Sequence, residues 1–150
     1  MRILVVDDHQ VVRRGVRALL EAESRLQVCG EAVDGRDAIA KARELAPDAI
    51  VMDISMPNMN GLEATREINR LFPQIRIVIL SQHDAPEMMR QALNAGAHGY
   101  VVKSAICTNL IAVLDKVWQG EKPELPVVLG NTGLNLDVHE ILQRNRPLKL

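Results

Sequence analysis

Between residues 48 and 61 the chain reads Asp-Ala-Ile-Val-Met-Asp-Ile-Ser-Met-Pro-Asn-Met-Asn-Gly. Four apolar residues, 49–52, run without alternation into Asp53 and are followed by a loop rich in Pro and Asn. A short continuous apolar run of this kind fits a strand covered on both faces, as in a parallel sheet flanked by helices. Asp53 then stands at the carboxyl end of a central strand. In open parallel sheets that edge is where ligands bind.

The same grammar repeats along the chain. Residues 2–6 are a second apolar run, ending on Asp7 and Asp8. Val12, Val16, Leu19 and Leu20 then fall at helical spacing, with Arg13, Arg14, Arg17 and Glu21 assigned to the outer face. Residues 26–32 form a less apolar strand, and Asp34-Gly35 turns into a helix carrying Ala38, Ile39, Ala42 and Leu45 before Pro47. The helix after Gly61 ends at Pro73, and residues 75–80 form a fourth strand ending on Ser81. A helix from Pro86 stops at Gly96, a fifth strand over 98–102 ends on Lys103, and a last helix covers 105–119.

Five strand and helix pairs in strict alternation predict an α/β fold: a doubly wound five-stranded parallel sheet with helices on both faces. The flavodoxin-like order 2-1-3-4-5 is the economical arrangement, and it brings Asp7, Asp8, Asp53, Ser81 and Lys103 to one edge. Residues 1–120 are expected to form this domain. Residues 121–150 hold several Pro and Gly and read as a C-terminal tail, a linker or a packing arm, in which only 138–144 has a helical pattern.

Composition narrows the function classes. The net charge is −1, and Phe, Tyr and Trp occur once each, so the chain offers neither a basic nucleic-acid surface nor aromatic stacking platforms. Cys29 and Cys107 lack Cys-x-x-Cys spacing and read as buried free thiols of a reducing compartment. Residues 3–6 are too short for a signal or a membrane span, so a cytoplasmic protein without membrane contact is expected.

Three carboxylates at one edge would repel and raise at least one pKa, a conflict that a divalent cation removes. Carboxylate oxygens select a hard ion, and one or two direct carboxylates plus waters suit Mg²⁺. His9, on a strand-to-helix turn, is not counted as a ligand. A cation, an ammonium and a free carboxylate oxygen are the parts of phosphoryl transfer, with Asp53 as nucleophile. Taken singly, Asp7 and Asp8 would be helix-capping acids, Ser81 a turn residue and Lys103 a solvated lysine.

Val5-Val6-Asp7-Asp8, Val51-Met52-Asp53 with Met56-Pro57 and Gly61, Leu80-Ser81, and Gly96-Ala97-His98-Gly99-Tyr100 with Lys103 together resemble the receiver domain of bacterial two-component response regulators. Asp7-Asp8-His9-Gln10, Gly30-Glu31-Ala32 and residues 99–104 are most similar to the NarL/LuxR-type subfamily. The resemblance implies phosphorylation of Asp53 by a sensor histidine kinase. It implies Mg²⁺ on Asp8, Asp53 and the Ser55 carbonyl, and through water on Asp7. It further implies a switch pair, Ser81 and Tyr100, acting on the surface of the fourth helix, fifth strand and fifth helix, with Lys103 on the phosphoryl group. Ser55 and His83 would tune dephosphorylation. Such a domain is a switch, not an enzyme acting on other substrates.

Residues 121–150 do not resemble the helix-turn-helix domain of that subfamily, so DNA enters only through a domain not seen here. The alternative is the receiver half of a LuxR-type transcription regulator. Dimerisation through the last helix is suggested by Ile111 and Trp118, which fall off its inward stripe. An aspartate-nucleophile phosphatase needs a second acid at position 55, which is Ser. Cobalamin binding is spoiled by Val12, and dinucleotide binding lacks its glycine fingerprint.

Overall fold

Residues 1–119 and 127–128 are described by the structure, a computed structural model. The strands are β1 (Arg2–Val6), β2 (Gln27–Ala32), β3 (Ala49–Asp53), β4 (Arg76–Ser81) and β5 (Gly99–Val102). They alternate with α1 (Gln10–Glu21), α2 (Gly35–Leu45), α3 (Gly61–Leu71), α4 (Pro86–Asn94) and α5 (Ile106–Trp118). All neighbours pair in parallel, in the order β2-β1-β3-β4-β5.

The unbroken apolar runs are explained by two cores. Leu4, Val6, Ile50, Met52, Ile77 and Ile79 pack with Ala38 and Ala42 of α2, Ala64 and Ile68 of α3, and Met89 and Ala92 of α4. Ile3, Val5, Val51, Val78 and Leu80 pack on the opposite face with Val16 and Leu20 of α1 and with Leu110, Val113, Leu114 and Val117 of α5. Successive strand residues serve opposite faces. A polar residue at either parity would be buried, and each large aliphatic side chain so placed contributes about 1.5–3 kcal/mol.

Several boundaries differ from the sequence reading. A 3-10 turn, Lys103–Ala105, separates β5 from α5, so Lys103 is fixed by a tight turn directly after its strand. A two-residue strand, β6 (Val127–Val128), adds in parallel to β5, where no strand was foreseen. The helical pattern at 138–144 lies outside the described residues. Ile111, expected to lie off the inward stripe, packs against the α1 and α5 core, while Trp118 is 41% exposed with Arg76 stacked 4.7 Å from its ring centre.

Two loops at the carboxyl edge are held by specific devices. Asp34 caps α2 by accepting from the Asp37 amide at 2.8 Å, and its other oxygen accepts from Asn58 Nδ2 at 3.0 Å. The Asp34 carboxyl is held below its ordinary range, chiefly by the Asp37 amide and then by Asn58. Gly61 lies so close to β3 that a Cβ would stand 2.0 Å from the Asp53 carbonyl oxygen, and its amide donates to the Ile54 carbonyl at 2.8 Å. Only glycine permits this approach. The loop after Asp53 is thereby folded back over the strand end.

Candidate functional site

Asp7, Asp8 and His9 follow β1, Asp53 ends β3, Ser81 ends β4 and Lys103 follows β5. Because β1 and β3 are neighbours with Val6 opposite Met52, Asp7 and Asp53 leave the sheet side by side. Asp7, Asp53 and Ser81 are 1%, 3% and 1% exposed, which polar side chains tolerate only with partners.

Lys103 supplies the principal partner. Its Nζ lies 3.1 Å from Asp7 Oδ2 and 3.1 Å from Asp53 Oδ1. Burial pulls the Lys103 pKa down, but the bonds to Asp53 and Asp7 outweigh it and leave the ammonium above its ordinary value. Burial, and next the charge of Asp7, push the Asp53 carboxyl above its ordinary value against the pull of Lys103. The repulsion expected from clustered acids is therefore only partly relieved by this one cation.

Asp7 and Asp8 are not helix caps. The residue at the N-cap of α1 is His9, which makes no side-chain capping bond. Asp7 instead folds its Oδ1 onto the His9 amide at 2.8 Å. Arg13, which the helical pattern placed on the outer face, turns inward: its Nη1 donates to the Asp7 carbonyl at 2.7 Å and its Nε to Glu31 at 3.3 Å. With a side chain 14% exposed, it clasps the loop that carries both acids. Sequence reasoning missed it because a period of 3.6 assigns a face but cannot tell an arginine in water from one reaching the next loop.

His9 is likewise closer to the acids than expected. One ligand atom each of Asp7, Asp8, His9 and Asp53 lies within 4.8 Å of the others. Asp8 Oδ1 is buried and lacks a hydrogen bond. Together with an all-carboxylate core, that orphaned acceptor fits a bound hard cation.

Ser81 and Tyr100 meet through the backbone of His83. The His83 amide donates to Ser81 Oγ at 3.0 Å, and Tyr100 Oη donates to the His83 carbonyl at 2.7 Å. Tyr100 is 1% exposed and so already points inward. Its phenol is raised above the ordinary value, first by burial, with the Ser81 hydroxyl opposing. Ser55 and His83 are exposed, and neither side chain takes part in the contacts joining Asp7, Asp53 and Lys103. The cysteines depart from expectation: Cys29 is half-buried and Cys107 exposed, both as free thiols. Among the described residues no helix is long and apolar enough to cross a membrane.

A family model described as the response regulator receiver domain matches residues 3–115. The chain is 38% identical over 129 residues to the response regulator protein VraR of Staphylococcus epidermidis, covering 86% of this chain. It spans 62% of the length of that relative. Among solved structures, a LuxR-family two-component response regulator from Aurantimonas sp. is 33% identical with a TM-score of 0.80, covering 97% of this chain and 96% of that one. The signal receiver domain of the putative response regulator NarL from Mycobacterium tuberculosis is 33% identical with a TM-score of 0.74, covering 79% and 97%. The isolated domain of RcsB from Salmonella enterica, solved with a phosphomimetic fluoride, is 26% identical with a TM-score of 0.79, covering 95% and 99%.

Proposed function

The chain belongs to the response regulator receiver family, and on that premise we propose that it is a phosphorylation switch whose acceptor is Asp53 and whose donor is a sensor histidine kinase. The observation that carries this is a buried carboxylate at an open sheet edge, held 3.1 Å from one ammonium and beside two further acids. The receiver unit is residues 1–120, with 121–150 as its tail.

In the reaction the Asp53 oxygen not paired with Lys103 attacks phosphorus of the phosphoramidate. The P–N bond breaks, and its electron pair stays on the departing imidazole. Lys103 shifts from the carboxylates to a phosphoryl oxygen, so a charge already in place meets the charge that develops. Asp8, Asp53 and the Ser55 carbonyl would hold Mg²⁺, with Asp7 acting through water; when bound, it supplies positive charge beside the phosphoryl oxygens. Ser55 and His83 flank the path of the water that later removes the group.

The Ser81 hydroxyl is the group free to turn toward the phosphoryl oxygen. Its release from the His83 amide loosens the loop that Tyr100 also holds, which biases the surface of α4, β5 and α5. β6 lies along that edge beside β5. The protein acts in the cytoplasm on no outside substrate.

A second reading makes this chain the regulatory half of a LuxR-type transcription regulator. The solved structure of RcsB dimers on DNA, which matches 99% of this chain at 26% identity, favours it. Homodimerisation past the exposed Trp118 belongs to the same reading, and sedimentation of both phosphorylation states tests it: a monomer in both removes it.

The test of the acceptor is intact mass after treatment with a small phosphodonor and Mg²⁺. One added phosphoryl on wild type and none on Asp53→Ala is expected. No adduct on wild type, or the same adduct on the variant, refutes the assignment.

A further inference from the structure

Asn60-Gly61 is the one Asn-Gly dipeptide of the chain, and it lies where the segment after β3 turns into α3. In an open peptide this pair is chemically unstable. The main-chain nitrogen after an asparagine can attack the side-chain amide carbon, and glycine has no side chain to shield that nitrogen. Both residues are nevertheless demanded here. Gly61 is required by its approach to β3, where a Cβ would collide with the Asp53 carbonyl oxygen. Asn60 caps α3, its Oδ1 accepting from the Glu63 amide at 2.9 Å.

The folded chain withholds each participant in that reaction. The nucleophile is the Gly61 amide, which donates to the Ile54 carbonyl at 2.8 Å and belongs to a buried residue, so its proton is closed to base. The side-chain amide under attack is held at both ends, Oδ1 by the Glu63 amide and Nδ2 by donation to Glu63 Oε1 at 3.0 Å. Asn60 is also extended, with φ −74° and ψ 169°, and closing a five-membered ring would turn its main chain out of that conformation. All of these contacts are given up together only when the segment lifts from the strand end.

We propose that Asn60 is a deamidation site kept shut by the fold, converted to aspartate and isoaspartate only in molecules whose 54–61 segment has opened. The Gly61 nitrogen loses its proton to hydroxide and bonds to Asn60 Cγ, and Nδ2 takes a proton from water and leaves as ammonia. The cyclic imide then adds one water. Opening at Cγ gives aspartate. Opening at the Asn60 main-chain carbonyl gives isoaspartate, in which the chain runs through Cβ and is longer by one carbon. That longer chain cannot both cap α3 and seat Gly61 against the Asp53 carbonyl, so a transient opening leaves a lasting mark at the strand end. The chemistry is independent of any phosphorylation of Asp53.

Incubation of the full chain at mildly alkaline pH, in buffer and in concentrated urea, tests this, with residue 60 followed by peptide mass mapping. Conversion in urea and a native rate at least about tenfold slower are expected, tenfold corresponding to an opening cost of about 1.4 kcal/mol. Glu63→Ala frees Nδ2 and should raise the native rate about threefold while leaving the rate in urea unchanged. Amide exchange at Gly61 should quicken in the same variant, because one opening serves both events. Equal rates in buffer and urea, or no conversion in urea, overturn the proposal. So does a Glu63→Ala protein that deamidates at the native wild-type rate, or one that deamidates faster without faster exchange at Gly61.

Discussion

Lys103 Nζ lies 3.1 Å from Asp53 Oδ1, an ion pair with a side chain 14% exposed facing one 4% exposed, joining the turn after β5 to the end of β3. The pair is incomplete compensation, because the same ammonium also serves Asp7 and the Asp53 carboxyl still sits above its ordinary value. A folded pKa above the unfolded one means that ionised Asp53 subtracts stability. That penalty is full above the folded value and fades as pH falls through it toward the ordinary 3.8.

Asp53→Asn is therefore expected to unfold at higher denaturant than wild type near neutral pH. The two midpoints should converge as the pH is lowered. Chemical denaturation across a pH series checks this, and an Asn variant less stable than wild type at neutral pH contradicts it.

Gly61→Ala should be costly out of proportion to one methyl group. The added carbon would meet Asp53 O at 2.0 Å and the Asp53 and Ile54 backbone at 2.9 Å, atoms that cannot rotate aside. A loss of about 2–3 kcal/mol is expected by denaturant melt. Phosphodonor labelling of the folded variant should slow as well, because the strand end that presents Asp53 must shift.

Arg13→Ala removes the donor to the Asp7 carbonyl and leaves Glu31 with Arg17, whose Nη1 lies 3.1 Å from Glu31 Oε2. We expect a stability loss of about 1–2 kcal/mol and weaker Mg²⁺ binding, with Arg13→Lys recovering part of each. Tryptophan fluorescence is less suited to the metal readout than calorimetry, since Trp118 lies at the end of α5, far along the chain from the acids. Unchanged metal affinity in Arg13→Ala would show that the clasp is dispensable to the site.

Tyr100→Phe deletes the bond from Tyr100 Oη to the His83 carbonyl while keeping the buried ring. The expected cost is about 1 kcal/mol. Amide exchange at His83, which donates to Ser81 Oγ, should quicken. Exchange at wild-type rate would mean that the loop does not depend on the phenol.

The architecture was readable because the apolar runs of β1, β3 and β4 lead straight into Asp7, Asp53 and Ser81, and the less apolar β2 was placed by the strand and helix alternation around it. Residues 49–52 before Asp53 are the clearest example, and the two-faced core explains why they do not alternate. Asp7, Asp8, Asp53 and Lys103 could be placed together because strand ends share an edge. Arg13 and His9 could not, since both act by reaching along a turn, and a turn's side-chain direction is set by bonds such as Asp7 Oδ1 to the His9 amide that no periodicity encodes. The inward Tyr100 and the exposed Cys107 have the same origin: pattern gives the element, and neighbours decide the depth. β6 was invisible because a two-residue strand is fixed by the β5 edge it meets rather than by its own sequence.

The most direct measurement of the central claim locates the phosphoryl group chemically. Protein treated with a small phosphodonor and Mg²⁺ is reduced with borohydride, which converts an acyl phosphate of aspartate to homoserine, and is then peptide-mapped. Homoserine at position 53 is the expected result. Reduction at Asp7 or Asp8 instead, or a phosphoryl group on a histidine that resists borohydride, would contradict the account.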